Sequence, residues 1–131
     1  MSRSIRITAG GEAVDATLND SDTAAAVLEA LPISATASLW GEEIYFPIPV
    51  THGEAEDARE VMAVGEIAYW PRGQALCIFL GRTPASQGDE PRAISPVNLI
   101  GRLEPGGAQR LLATVRQGDT ITVGRWPGGG A

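Results

Sequence analysis

The chain has 131 residues, a formal net charge of −6, 44% hydrophobic and 20% charged residues, values that fit one globular domain with its own core and exclude a disordered polyelectrolyte. All ten cationic residues are arginines scattered from Arg3 to Arg125, so neither a nucleic-acid footprint nor a basic face for an anionic membrane is expected. Cys77 is the single cysteine, and Met1-Ser2-Arg3-Ser4-Ile5-Arg6 carries no apolar run of leader or membrane-span length; an internal disulfide is excluded and the cytoplasm is the expected compartment.

In chain order, Ile5 and Ile7 alternate with polar residues, Gly10-Gly11 turns the chain, and Val14, Ala16 and Leu18 alternate again, which predicts an opening β-hairpin. Asp20-Ser21-Asp22 offers helix N-caps, Ala24, Val27, Leu28 and Leu31 follow at helical spacing, and Pro32 stops the pattern, predicting a short amphipathic helix. Ser34 to Trp40 and Ile44 to Val50 read as strands, the second interrupted by Pro47 and Pro49. His52 to Glu60 carries four acids and few apolar residues, and reads as a solvated excursion without core residues.

Glu66 to Trp70 and Ala75 to Leu80 form a predicted hairpin around Trp70-Pro71-Arg72-Gly73, a type I turn sequence. Every position from Ala75 to Leu80 is apolar, so both faces of that strand are expected to be covered. Gly81 to Pro96 is rich in turn formers and predicts a long loop that walls a cleft. Val97 to Leu103 is a further strand, Ala108, Leu111, Leu112 and Val115 mark a second helix ended by Gly118, Thr120 to Gly124 is the last strand, and Trp126 onward is a glycine-rich tail. The expectation is a single domain over 1–131, mainly β, an eight-stranded closed barrel with two short amphipathic helices capping its ends.

Two stretches, Gly65-Glu66-Ile67-Ala68-Tyr69-Trp70-Pro71-Arg72-Gly73-Gln74-Ala75-Leu76-Cys77-Ile78-Phe79-Leu80-Gly81-Arg82-Thr83-Pro84 and Ser95-Pro96-Val97-Asn98-Leu99-Ile100-Gly101, resemble the signature of the prokaryotic cyclophilin-like domain family. They cover about a fifth of the chain, and the remainder agrees in element order. The resemblance implies a cyclophilin-like barrel. It does not bring prolyl isomerase chemistry with it: true cyclophilins carry a Phe-His-Arg segment and a proline pocket lined by further aromatic and polar residues, whereas this chain has Ser38-Leu39-Trp40 on the third strand and its one histidine, His52, in the acidic excursion. Twisting an Xaa-Pro amide over a barrier of about 20 kcal/mol requires a dry pocket and a positioned donor. Arg72, Arg82 and Arg102 are the arginines available for that role, and no catalytic residue is carried over from the family.

One histidine and one cysteine do not make a zinc set, so no metal and no cofactor is expected. Cys77, inside an apolar run, reads as a buried packing residue, and His52 as a surface histidine. Glu42 and Glu43 are neighbours and, on a strand, face opposite ways, so they form no acid–base pair. No Gly-x-Ser-x-Gly elbow, P-loop or dinucleotide fingerprint occurs. Strand parity places one of Tyr45 and Phe46, and one of Tyr69 and Trp70, inside and the other on an outer groove. Because a tyrosine hydroxyl wants a polar partner, the candidate ligand groove is Tyr45, Tyr69 and Gln74 with Asn98 and Glu43. The functional expectation is a domain that binds a peptide or small molecule without the usual isomerase residues. The alternatives are a divergent peptidyl-prolyl isomerase and a subunit of a larger amidohydrolase-like assembly that needs a protein partner.

Overall fold

The computed structural model describes residues 3–126. Its strands are β1 (Ser4–Ala9), β2 (Glu12–Leu18), β3 (Ile33–Thr36), β4 (Ser38–Trp40), β5 (Glu43–Pro47), β6 (Arg59–Val61), β7 (Glu66–Trp70), β8 (Ala75–Phe79), β9 (Arg92–Leu103) and β10 (Thr120–Arg125); its helices are α1 (Asp22–Ala30) and α2 (Gly107–Thr114). Among the described residues no helix is long and apolar enough to cross a membrane.

All strand pairings are antiparallel, and the hydrogen-bonded order is β3-β10-β1-β2-β9-β7-β8-β5-β4, with β6 on β9. This corrects the expectation of a closed eight-stranded barrel. Among the described residues there are ten strands, and the paired path is open, ending on β3 at one side and β4 at the other. The two end strands are successive pieces of one chain segment, broken only at Ala37. Ala37 is buried and turns both its N–H and its C=O away from the ladder, to the Asp119 carbonyl and the Gly118 N–H. The two ends are therefore joined through the chain, and the sheet curls around one apolar interior.

Strand parity builds that interior. Ile5, Ile7, Val14, Ala16, Leu18, Ile44, Phe46, Ile67, Tyr69, Leu76, Ile78, Ile121 and Val123 face inward and are buried in one cluster. Helix α1 begins at Ser21, whose Oγ accepts the Ala24 N–H at 3.2 Å, and turns Ala24, Val27 and Leu28 into the same cluster; α2 adds Ala108 and Leu111. The second helix ends earlier than expected: Val115, extended, donates its N–H to the Leu111 carbonyl, and Gly118 (φ +92°) serves the turn into β10 instead of the helix cap. Gly101 has a packing reason, since a Cβ there would lie 2.5 Å from the Thr17 carbonyl oxygen of the adjoining strand.

A second apolar cluster lies on the opposite face of β5, β8, β7 and β9: Met62, Ala68, Cys77, Phe79, Ala93 and Val97, with Tyr45, Trp70 and Leu99 against it. It accounts for the apolar run of β8, which is buried on both faces as expected for a central strand. The expected loop over 81–96 is shorter, because β9 begins at Arg92. Its hydropathy is inverted at the start: Ile94 is exposed while Ser95 is buried, its hydroxyl accepting the Trp70 indole N–H at 2.7 Å. Pro96 is tolerated since this end of β9 pairs only with the short, bulged β6. Trp126, expected to start a loose tail, is held by its N–H to the Ser4 carbonyl and by the Arg6 guanidinium, 3.3 Å from its ring centroid; the rest of the tail, from Pro127, lies outside the described residues.

Candidate functional site

The antiparallel register decides which side chains meet on the outer face. Tyr45 is opposite Cys77, Glu43 opposite Phe79 on one side and Trp40 on the other, and Ala68 opposite Cys77. Two-residue alternation then places Glu43 and Tyr45 on the same outer face as Cys77 and Trp70, while Ile44, Phe46 and Tyr69 point inward. These outward groups surround a cavity of about 120 Å³ lined by Trp40, Glu43, Tyr45, Trp70, Cys77, Ala93, Ile94 and Val97. It is small beside the several hundred Å³ of a cofactor pocket, and suits a head group or one side chain.

Three aromatic rings and an acid make up its distinctive chemistry. Trp70 is fixed by its bond to Ser95 and by Gly73, where a Cβ would collide with the indole ring. The hydrogen-bonded turn is Pro71 to Gln74, one residue later than the sequence suggests, and Gln74 takes the positive φ of 50°. Gly73 is thus required by the ring lying over it. Gly73→Ala is expected to displace Trp70 and free its indole N–H, seen as a shifted and faster-exchanging indole proton in the NMR spectrum; an unmoved resonance would show that the ring is held by Ser95 alone.

Glu43 is 5% exposed, and its Oε1 has no hydrogen-bond partner. Burial pushes its carboxyl up to about 7, opposed by a smaller pull from the Cys77 thiol. Cys77 is itself pushed well above its ordinary value by burial first and by the carboxylate of Glu43 second, which makes it a poor nucleophile and agrees with its reading as a packing residue. Among the described residues the other deeply buried acid, Glu66, is a contrast. Glu66 accepts from Arg59 Nη2 at 3.1 Å, from Arg102 Nη2 at 3.1 Å and from the Ala63 N–H at 2.8 Å, so every demand of that carboxylate is met. Among the described residues, Glu43 Oε1 is the buried side-chain polar atom left without a hydrogen-bond partner.

The candidate groove is brought together only in part. Glu43 and Tyr45 line the cavity. Tyr69 does not: it is fully buried on the inner face, where its hydroxyl donates to the Val50 carbonyl at 2.6 Å and accepts the His52 N–H at 3.3 Å, so the polar partner that favoured an outer position is found inside. Gln74 is exposed on the hairpin turn. Asn98 is 1% exposed and structural; its Nδ2 donates to Thr23 Oγ1 at 3.1 Å and the Gly53 carbonyl at 2.9 Å, and its Oδ1 accepts the Ala55 N–H at 2.8 Å. His52 joins this network through Nδ1, 3.1 Å from Thr23 Oγ1. The acidic excursion is therefore stapled to the sheet. Asn98→Ala is expected to cost about 2 kcal/mol, because buried backbone groups lose their partners, and a denaturant midpoint measures it.

Trp40, Trp70, Cys77, Ala93, Ile94 and Val97 are the cavity residues that the candidate groove lacked, Cys77 having been read as a packing residue. The parity argument named Trp70 as the alternative to Tyr69, so it was within reach. Of the segment Gly81 to Pro96, expected to wall a cleft, Ala93 and Ile94 line this cavity; residues 81–91 are absent from the lining and fold around Glu90, whose carboxylate accepts the Gln87 and Gly88 N–H groups and pairs with Arg92, holding its pKa at about 2. Arg72, Arg82 and Arg102 are likewise absent from the lining. A second depression, of about 340 Å³, lies by Asp15, Arg102, Glu104 and Trp126, but its charges are already paired, Asp15 with Arg6, Arg102 with Glu66 and Glu104 with Arg110. Among the described residues no group of three or more His, Cys, Asp or Glu side chains is placed to hold a metal ion.

Comparison with known proteins agrees with this architecture. The solution structure of the hypothetical protein AF2241 from Archaeoglobus fulgidus is 34% identical in sequence, superposes with a TM-score of 0.79 and is covered over 95% of each chain. No protein of curated function matches significantly. The profile of the family described as Cyclophilin-like matches residues 3–124. With that match over nearly the whole described chain, the protein belongs to the cyclophilin-like family.

Proposed function

We propose that the chain is a binding domain that takes a small molecule or a single peptide side chain into the outer-face cavity, and that it does not isomerise prolyl bonds. The observation that carries this reading is Glu43: it lines an aromatic cavity, and a buried carboxyl with an unpartnered oxygen is costly to maintain for stability alone. A ligand donor bound at the Glu43 carboxyl offsets that cost. Ile94, 62% exposed at the rim, gives the rest of the ligand an apolar surface on which to lie. Prolyl isomerisation needs a donor fixed beside the proline ring, and no arginine lines the cavity.

The three tryptophans make the test internal. Trp40 and Trp70 line the cavity, whereas Trp126 is at the far depression. Small organic probes are expected to shift the indole resonances of Trp40 and Trp70 and leave Trp126 in place, and prolyl exchange in Xaa-Pro peptides is expected to run at its uncatalysed rate. Probes that leave all three unmoved, or accelerated exchange, would overturn the reading.

A further inference from the structure

Resting on that reading of the cavity as a binding site, we propose that its ligand is an alkylated ammonium group carrying at least one N–H, bound with the N–H on the Glu43 carboxylate and the alkyl groups against Trp40, Tyr45 and Trp70. The lining residues exclude the other ligand classes in turn. No arginine or lysine lines the cavity, and the chain carries a net charge of −6, so an anion would meet the Glu43 carboxyl with nothing to neutralise it. A hard metal ion needs six or more oxygens, and the cavity has one carboxyl among rings and aliphatic carbons. A neutral apolar group would fill the space yet leave Oε1 unpartnered in a dry site.

A protonated alkylamine answers each feature. Its N–H supplies the missing hydrogen bond, strengthened by charge on both sides. Its polarised methyl groups are attracted to aromatic faces, the interaction by which aromatic cages hold substituted ammonium ions. Trp70 donates its own indole N–H to Ser95, so its ring meets the ligand with no spare donor. The other titratable groups of the lining are Cys77 and Tyr45, and neither supplies positive charge. A cation stabilises the ionised form of Glu43, so its binding competes with the proton that burial holds there up to about pH 7. Affinity for the cation rises with pH through that value and levels off above it.

The experiment titrates trimethylammonium, tetramethylammonium, the neutral tert-butyl alcohol and a short peptide carrying dimethyllysine into the intact protein, read at the indole resonances of Trp40 and Trp70. Trimethylammonium is expected to bind about tenfold or more tightly than the alcohol at about pH 8, and to gain about tenfold between about pH 6 and about pH 8, as the ionised fraction of a group titrating near 7 requires. Tetramethylammonium, lacking the N–H, binds more weakly than trimethylammonium. Glu43→Gln removes both the preference and the pH dependence. Tighter binding of the peptide assigns the group to a side chain, and tighter binding of the free ion to a small amine; both uphold the proposal. If tert-butyl alcohol binds as well as trimethylammonium, or Glu43→Gln retains the discrimination, the ammonium assignment falls while the cavity remains a binding site. If no probe moves either indole, the binding reading falls with it.

Discussion

Glu43→Gln is expected to stabilise the protein by about 3 kcal/mol at about pH 8 and to leave it nearly unchanged at about pH 4. The carboxyl titrates at about 7 when folded, against 4.5 for the free side chain. Below the lower value both folded and unfolded chains hold the proton, and burial of a neutral acid costs little. Between the two, the unfolded chain ionises while the folded chain keeps its proton, so wild-type stability falls by about 1.4 kcal/mol per pH unit. Above the upper value the full penalty of a buried charge is present. Glutamine has no such transition, so urea midpoints of the two proteins converge in acid and separate in alkali; parallel profiles would contradict a buried, unpaired carboxyl.

The neighbouring pair Tyr45 and Phe46 separates stability from binding. Phe46 is fully buried in the interior cluster, and Phe46→Ala is expected to cost about 3–5 kcal/mol through lost transfer energy and an unfilled cavity. Tyr45, half-buried on the outer face, is expected to cost about 1 kcal/mol on replacement by alanine. Their effects on the site run the other way. Tyr45→Ala removes one wall of the cavity and weakens probe binding at Trp40 and Trp70, while Phe46→Ala, where still folded, leaves it intact. Equal losses of stability would mean that the two residues do not lie on opposite faces as their register requires.

The parts of the fold legible from sequence are those where local chemistry and tertiary packing agree. The β1–β2 hairpin, α1 and the β7–β8 hairpin each combine a clean hydropathy period with a turn or cap residue, and their paired registers and caps follow it. The start of β9 was hidden because Ser95 is buried to hold an indole and Ile94 is exposed at a cavity rim, an inversion that only the tertiary partner explains. Closure was misjudged for a similar reason. Nothing local marks Ala37 as the break between β3 and β4, since its backbone bonds go to residues some eighty positions away. In the candidate site, alternation correctly placed the members of each aromatic pair on opposite faces, but the choice between them at 69 and 70 depended on a carbonyl at Val50, which sequence spacing does not reveal.

The carboxyl carbon of Glu43, followed by NMR through a pH titration with and without trimethylammonium, tests most directly whether this acid is the recognition group of the outer cavity. A midpoint at about 7 in the free protein, moving to lower pH as the cation is added, is the expected result. A midpoint near 4.5, the ordinary value, and unmoved by the cation, would contradict it.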